Sequence, residues 1–248
     1  MNEAQDQAPA ELTKPQVKLN RWSHYVFEFF MLFLAVTLGF FVENQRQKLS
    51  EQEEEKQLVT TLLNDVKTDI QRVDEIIQLR LERIEENDSL YLLLSLPNRK
   101  DHMVKIYEYM KSARSLRTLF YASNTMTYLA NGGFQRFRSN EVENETRTYY
   151  LSVQDLLASQ QSSLDIGQEL TEKSRNLLDA EVMFLLSHPE RKSKGAINLF
   201  SSDSNQINAY SNALLHFNGN CGIQTQFLKK IRLQGEKLIA SIKKEYHL

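Results

Sequence analysis

Glycine and proline are scarce, with 8 Gly and 4 Pro in 248 residues, well under half of the roughly 12% that is usual. All-β architectures and phosphate-cradling loops depend on those residues at their turns, so the composition argues against both. Cysteine is rarer still: Cys221 stands alone, which excludes a disulfide framework and any CxxC metal site. Charge of one sign is also missing. Thirty basic residues face thirty-two acidic ones, a net charge of −2, which excludes a strongly basic nucleic-acid binder. The reading left is an all-α protein, with the prolines at 9, 15, 97 and 189 leaving two long stretches that nothing obliges to break.

One long apolar run is present. Tyr25 to Val42 reads YVFEFFMLFLAVTLGFFV, with Glu28 as its one charge. A spanning helix needs about 20 mainly apolar residues, within a range of roughly 17–25. A cleaved signal peptide competes with this reading. Against it, the run starts late, stays rich in bulky Phe to its end, and meets Glu43-Asn44-Gln45-Arg46 without a small-residue cleavage site. A buried core helix is a third reading, disfavoured because so many phenylalanines leave no polar face for water. The chain is therefore divided into a tail over 1–20, a transmembrane helix over 21–43 and a helical-bundle domain over 44–248. The tail is too short to hold an enzyme domain. Lys14, Lys18 and Arg21 before the span balance Arg46, Lys48 and Lys56 after it, so the count of basic residues that sets orientation ties.

Within the span, Arg21, Tyr25, Glu28, Leu32, Ala35 and Gly39 fall at alternating steps of four and three and share one face. Ala35-x-x-x-Gly39 has the spacing that lets helix backbones approach closely in lipid. Glu28, Ala35 and Gly39 are thus a candidate contact with a second copy or a partner's helix. The plainer reading has Glu28 reach the headgroups, or pair with Arg21 or His24.

Beyond the span, Leu58, Leu62, Val66, Ile70, Val73, Ile77, Leu81 and Ile84 recur in steps of three and four, one helical stripe. The spacing predicts a helix over 44–96, with Asn87-Asp88-Ser89 a candidate interruption. These steps average nearer 3.7 than 3.5 residues, which favours a straight helix in a bundle over a two-stranded coiled coil. The remaining bundle, 97–248, begins with a turn at Pro97-Asn98-Arg99-Lys100. A short helix follows over Met103–Ala113, and another runs from Ser123-Asn124-Thr125 to a stop at Asn131-Gly132-Gly133. A second long helix is expected from Ser139 or Asn140 to Ser187, its apolar positions including Leu156, Leu164, Leu177 and Leu185. It ends before Pro189, where Glu190 to Gly195 reads as a charged loop. Two more helices are expected, Ser204 to Phe217, stopped at Asn218-Gly219, and Gly222 to Tyr246.

The five histidines form no HExxH, ExxH or His/Cys group, so metal-ligand spacing is absent. No GxSxG elbow, Walker loop or dinucleotide fingerprint occurs. Gly132-Gly133 reads as a helix stop, Cys221 as a packing residue, and Lys229, Lys230, Arg232, Lys237, Lys243 and Lys244 as a solvated face. The expectation is no catalytic residue, no metal ligand and no cofactor.

Several residues around the span do form a pattern: Glu28-Phe29 at its start, Val36, Leu38-Gly39-Phe40 near its end, then Glu43-Asn44, Arg46, Ser50-Glu51 and Leu62, Asp65, Lys67, Asp69. A second block comprises Ser123-Asn124-Thr125, Tyr128-Leu129, Gly132-Gly133 and Tyr149. Together these resemble the signature of a large uncharacterised family of single-span proteins in Gram-negative bacteria. Ala35 departs from it, standing where members usually carry Gly. The resemblance covers about residues 25–150 and carries no assigned activity. It implies an inner-membrane protein whose helical domain lies in the periplasm. Two functions are compatible: a non-enzymatic, membrane-anchored interaction protein that docks partner membrane proteins or forms a homo-oligomer, or an extracytoplasmic ligand sensor signalling through a separate partner.

Overall fold

The computed structural model describes residues 21–116, 118–119, 123–188 and 197–248. The tail over 1–20, Pro189 and the charged loop over 190–195 lie outside them, as does the side chain of Arg21. The fold is all-α, and no strand occurs among the described residues. The helices are α1 (Arg21–Ser95), α2 (Met103–Ser112), α3 (Ser123–Ala130), α4 (Asn140–Arg175), α5 (Ala180–Leu186) and α6 (Ser204–Tyr246). The chain divides into two compact units, Met1–Glu53 and Glu54–Leu248.

In the first unit, α1 is long and apolar enough to cross a membrane, and no residue of its apolar window is buried. Every side chain from Trp22 to Glu53 is exposed, including Phe40 at 74% and Phe29 at 69%. An apolar surface that no protein atom covers marks a site for a membrane or a partner.

In the second unit the buried positions of α1 include Glu55, Val59, Leu62, Val66, Asp69, Val73, Ile76, Arg80, Asn87, Leu90 and Leu94, with half-buried Arg83 between the last polar pair. Steps of three and four alternate along this seam, with Leu63 and Ile77 buried beside it. The same alternation runs through α6 from Ile207, Tyr210 and Leu214 to Gly235, Leu238 and Ile242, and through α4 from Val142, Thr146 and Tyr149 to Ser163 and Leu170. This is the heptad spacing of about 3.5 residues, which gives left-handed packing of knobs into holes. The expected apolar stripe lies on this side of α1, with Leu62, Val66, Val73 and Ile77 buried and Leu58, Ile70 and Ile84 packed against the core. Its average of about 3.7 differs from the seam's because Asp69, Arg80, Arg83 and Asn87 occupy seam positions while Leu81 is 38% exposed.

Hydrogen bonds give the directions of the helices. Tyr149 donates to Asp69 at 3.1 Å, and Gln224 links Arg80 of α1 to Ser163 of α4, so α4 runs parallel to α1. Tyr246 donates to Glu55 at 2.5 Å and Asn87 to Asn218 at 3.3 Å, so α6 runs antiparallel to α1. The leg between α1 and α4 is broken. Its first part, α2, packs beside Leu90, Leu170 and Tyr210. Its second part, α3, packs beside Leu62, Val142 and Leu238, with Thr125 donating to Asp65 at 2.5 Å. The second unit is an up-down-up-down bundle in which one leg is made of two helices, α2 ending at Ser112 and α3 starting at Ser123.

Three expected boundaries move. Asn87-Asp88-Ser89 does not interrupt α1, because Asn87 is buried and donates to the Ala113 carbonyl at 3.2 Å. Asn218-Gly219 does not end a helix: Asn218 donates to Asp88 at 2.7 Å and to the Ile84 carbonyl at 3.3 Å, and α6 continues unbroken. The second long helix ends early, at Arg175. Asp179 then caps α5, accepting from Glu181 and Val182, while its own N–H donates to Tyr107 at 2.9 Å. The stop at Gly132 holds, with a φ of 106° that disfavours other residues.

Candidate functional site

Glu28, Ala35 and Gly39 share one face of α1 in the first unit, and all three are exposed. A Cβ built on Gly39 would meet nothing within 4 Å, so the face is open to a neighbouring backbone.

A second site lies inside the bundle, where sequence reading placed none. Two apolar clusters make up the core. The first ends at Ile77 on α1, Leu156 on α4 and Leu228 on α6. The second resumes at Leu90, Leu170 and Cys221. Between them is a polar layer at the level of the broken leg. Its centre is Arg80, 2% exposed, whose Nη1 donates to Gln224 Oε1 at 2.5 Å. Gln224 Nε2 donates in turn to Ser163 Oγ and, at 3.1 Å, to the Ser159 carbonyl. Ser163 Oγ lies 2.6 Å from Asn220 Oδ1.

Beside this chain of bonds is a cavity of about 250 Å³, lined by Arg80, Arg114, Gln160, Ser163 and Gln224 among its polar groups. Leu116, Leu164 and Phe217 supply apolar wall. Among the described residues the lining contains no carboxylate. An outer hollow of about 480 Å³ shares Arg80, Leu116 and Thr118 with it and is edged by Glu82 and Glu86. Glu86 is already engaged, accepting from Arg83.

Burial holds the guanidinium pKa of Arg80 below its ordinary value. Arg80 Nε and Gln160 Nε2 are buried and find no acceptor among the described residues. Cys221, next to Arg80 in the field it feels, is no counter-ion, since burial pushes its thiol from 9.0 up to about 11. A buried charge is normally paired because desolvation costs several kcal/mol. Arg80, Arg114, Gln160 and Gln224 line one cavity, a donor-rich wall suited to an acceptor-rich group. Sequence reading missed it because Arg80 is a lone Arg among many. The available signal was the alternation of three and four, which lands on Arg80 only if polar residues are counted.

Among the described residues no group of three or more His, Cys, Asp and Glu side chains is gathered as a metal would require. No family model matches the chain, and neither a curated protein nor a solved structure matches it.

Proposed function

We propose that the chain is a membrane-anchored, non-enzymatic interaction protein of the Gram-negative inner membrane, a member of the family whose N-terminal signature it resembles. Residues 21–43 span the bilayer, and the bundle serves as a periplasmic docking domain for partner proteins or other copies of the chain. The observation that carries this reading is the fully exposed apolar stretch of α1, which only lipid or another apolar surface can cover. Orientation rests on the resemblance. A reporter that fluoresces only in the cytoplasm, fused to Leu248, is expected to stay dark, and bright cells would reverse the topology.

The association itself is assigned to the face of Glu28, Ala35 and Gly39. Close helix approach in lipid relies on small residues, and an ionisable group at mid-membrane costs about 2.5–3.5 kcal/mol on insertion scales. Glu28→Leu and Gly39→Ile variants should insert normally while recovery of the oligomer or complex from mild detergent falls several-fold. Unchanged recovery for both would leave Glu28 with no role beyond reaching the headgroups. The sensor reading has its own support in the Arg80 cavity, which can hold a ligand that a docking domain does not need.

A further inference from the structure

We infer that the polar layer of the bundle is a binding site for a small organic carboxylate, gripped by Arg80. Arg80 offers a guanidinium that is 2% exposed, yet its one hydrogen-bonding partner among the described residues is the neutral amide of Gln224. The Nη1 contact to Gln224 fixes the plane of the group. Arg80 also lines the cavity, and a guanidinium is a strong partner for a carboxylate. Arg114 and Gln160 line the same cavity. Among the described residues, Arg80 and Arg114 line that space and no carboxylate does, so an anion is the complementary occupant.

The apolar wall decides between anions. Leu116, Leu164 and Phe217 would lie against a fully hydrated ion such as phosphate without bonding it, whereas they suit the hydrocarbon body of an organic acid. The volume of about 250 Å³ limits that body to a small acid rather than a long acyl chain. The place of the site in the fold has a structural cause. Helix α2 stops at Ser112 and α3 starts at Ser123, and the described residues Arg114, Leu116 and Thr118 between them line the cavity beside Arg80. The inference concerns the second unit alone and is independent of the anchoring and docking roles proposed above.

The test uses the full chain purified in a mild detergent, with thermal unfolding followed by circular dichroism at 222 nm. Benzoate, butyrate, phosphate and chloride are compared at equal ionic strength. At concentrations near 100 times the dissociation constant, benzoate or butyrate should raise Tm by about 5–10 °C, and phosphate and chloride should not. Arg80→Met should abolish the rise. Its ligand-free Tm should equal or exceed that of the parent, because a buried charge without a counter-ion is replaced by an apolar chain of similar length. Gly167→Val is the independent variant. A Cβ at Gly167 meets only Phe217 Cε2, at 3.6 Å, so the new side chain enters the cavity and should abolish the rise without loss of fold. No rise in the parent with either acid overturns the proposal. An equal rise with phosphate overturns the carboxylate assignment, and a rise retained in both variants overturns the site.

Discussion

Gly235→Val is expected to lower the stability of the bundle by about 1–3 kcal/mol, the range typical of overpacking a tight core. Gly235 is a buried seam position of α6. A Cβ there would meet Ile70 Cδ1 at 3.0 Å, Ile70 Cγ1 at 3.1 Å and Val66 Cγ1 at 3.2 Å. The bare backbone of Gly235 thus serves as the hole that receives Ile70, and this explains why a helix accepts a residue that costs it about 1 kcal/mol of propensity. At about 2–4 °C per kcal/mol for a domain of this size, the fall in Tm should be about 2–12 °C. Ile70→Ala should recover part of the loss when combined with Gly235→Val, because residues in direct contact are not additive. A Tm unchanged by Gly235→Val, or a double variant as unstable as the sum of the two singles, would mean that α1 and α6 do not meet here.

The second large effect separates two leucines of one helix. Leu156 is 0% exposed and Leu164 is 57% exposed, although an apolar pattern in the sequence includes both. Leu156→Ala should cost about 2–5 kcal/mol, through lost burial and the cavity left behind. Leu164→Ala should change stability by less than about 0.5 kcal/mol, as surface substitutions do. Chemical denaturation of the two variants in parallel measures the difference. Equal costs would show that the seam of α4 is not where the alternation of three and four puts it.

That alternation also explains which parts of the structure are legible in the sequence. Helix type and the long apolar N-terminal helix follow from composition and periodicity, since no proline falls between Pro15 and Pro97. The phase of the seam does not follow from apolar residues alone. Asp69 receives Tyr149, Arg80 holds Gln224 and Asn87 reaches Asn218, so polar side chains occupy places where a hydrophobic count expects leucine. Glycine misled in the same way. Asn218-Gly219 has the composition of a helix end, but Asn218 finds acceptors on α1 and the backbone continues. The real break after Arg175 contains neither Gly nor Pro. It is made by tertiary bonds, from Asp179 to Tyr107 and from Phe200 to the Leu177 carbonyl at 2.9 Å, which no local signal reports.

The polar layer has consequences for the whole bundle. Its members pin the register of α1, α4 and α6 against sliding, because hydrogen-bonded groups at seam positions match only one alignment. They also split the core into two apolar blocks. Glu55, 4% exposed, performs the same pinning at the other end, accepting from the Arg138 N–H at 2.6 Å, from Arg138 Nε at 3.0 Å and from Tyr246. The carboxylate and the burial together raise the Tyr246 pKa above its ordinary value, which keeps that hydroxyl a donor through the physiological range.

The central claim is that residues 22–42 hold the chain in a bilayer. The most direct measurement is alkaline carbonate extraction of membranes from cells that express the full chain, beside a chain from which 22–42 have been deleted. Carbonate strips proteins held at the surface by charge and leaves spanning helices in place. The account predicts that the full chain stays in the membrane pellet and that the deleted chain moves to the soluble fraction with its bundle folded. Recovery of the full chain in the carbonate supernatant would contradict it.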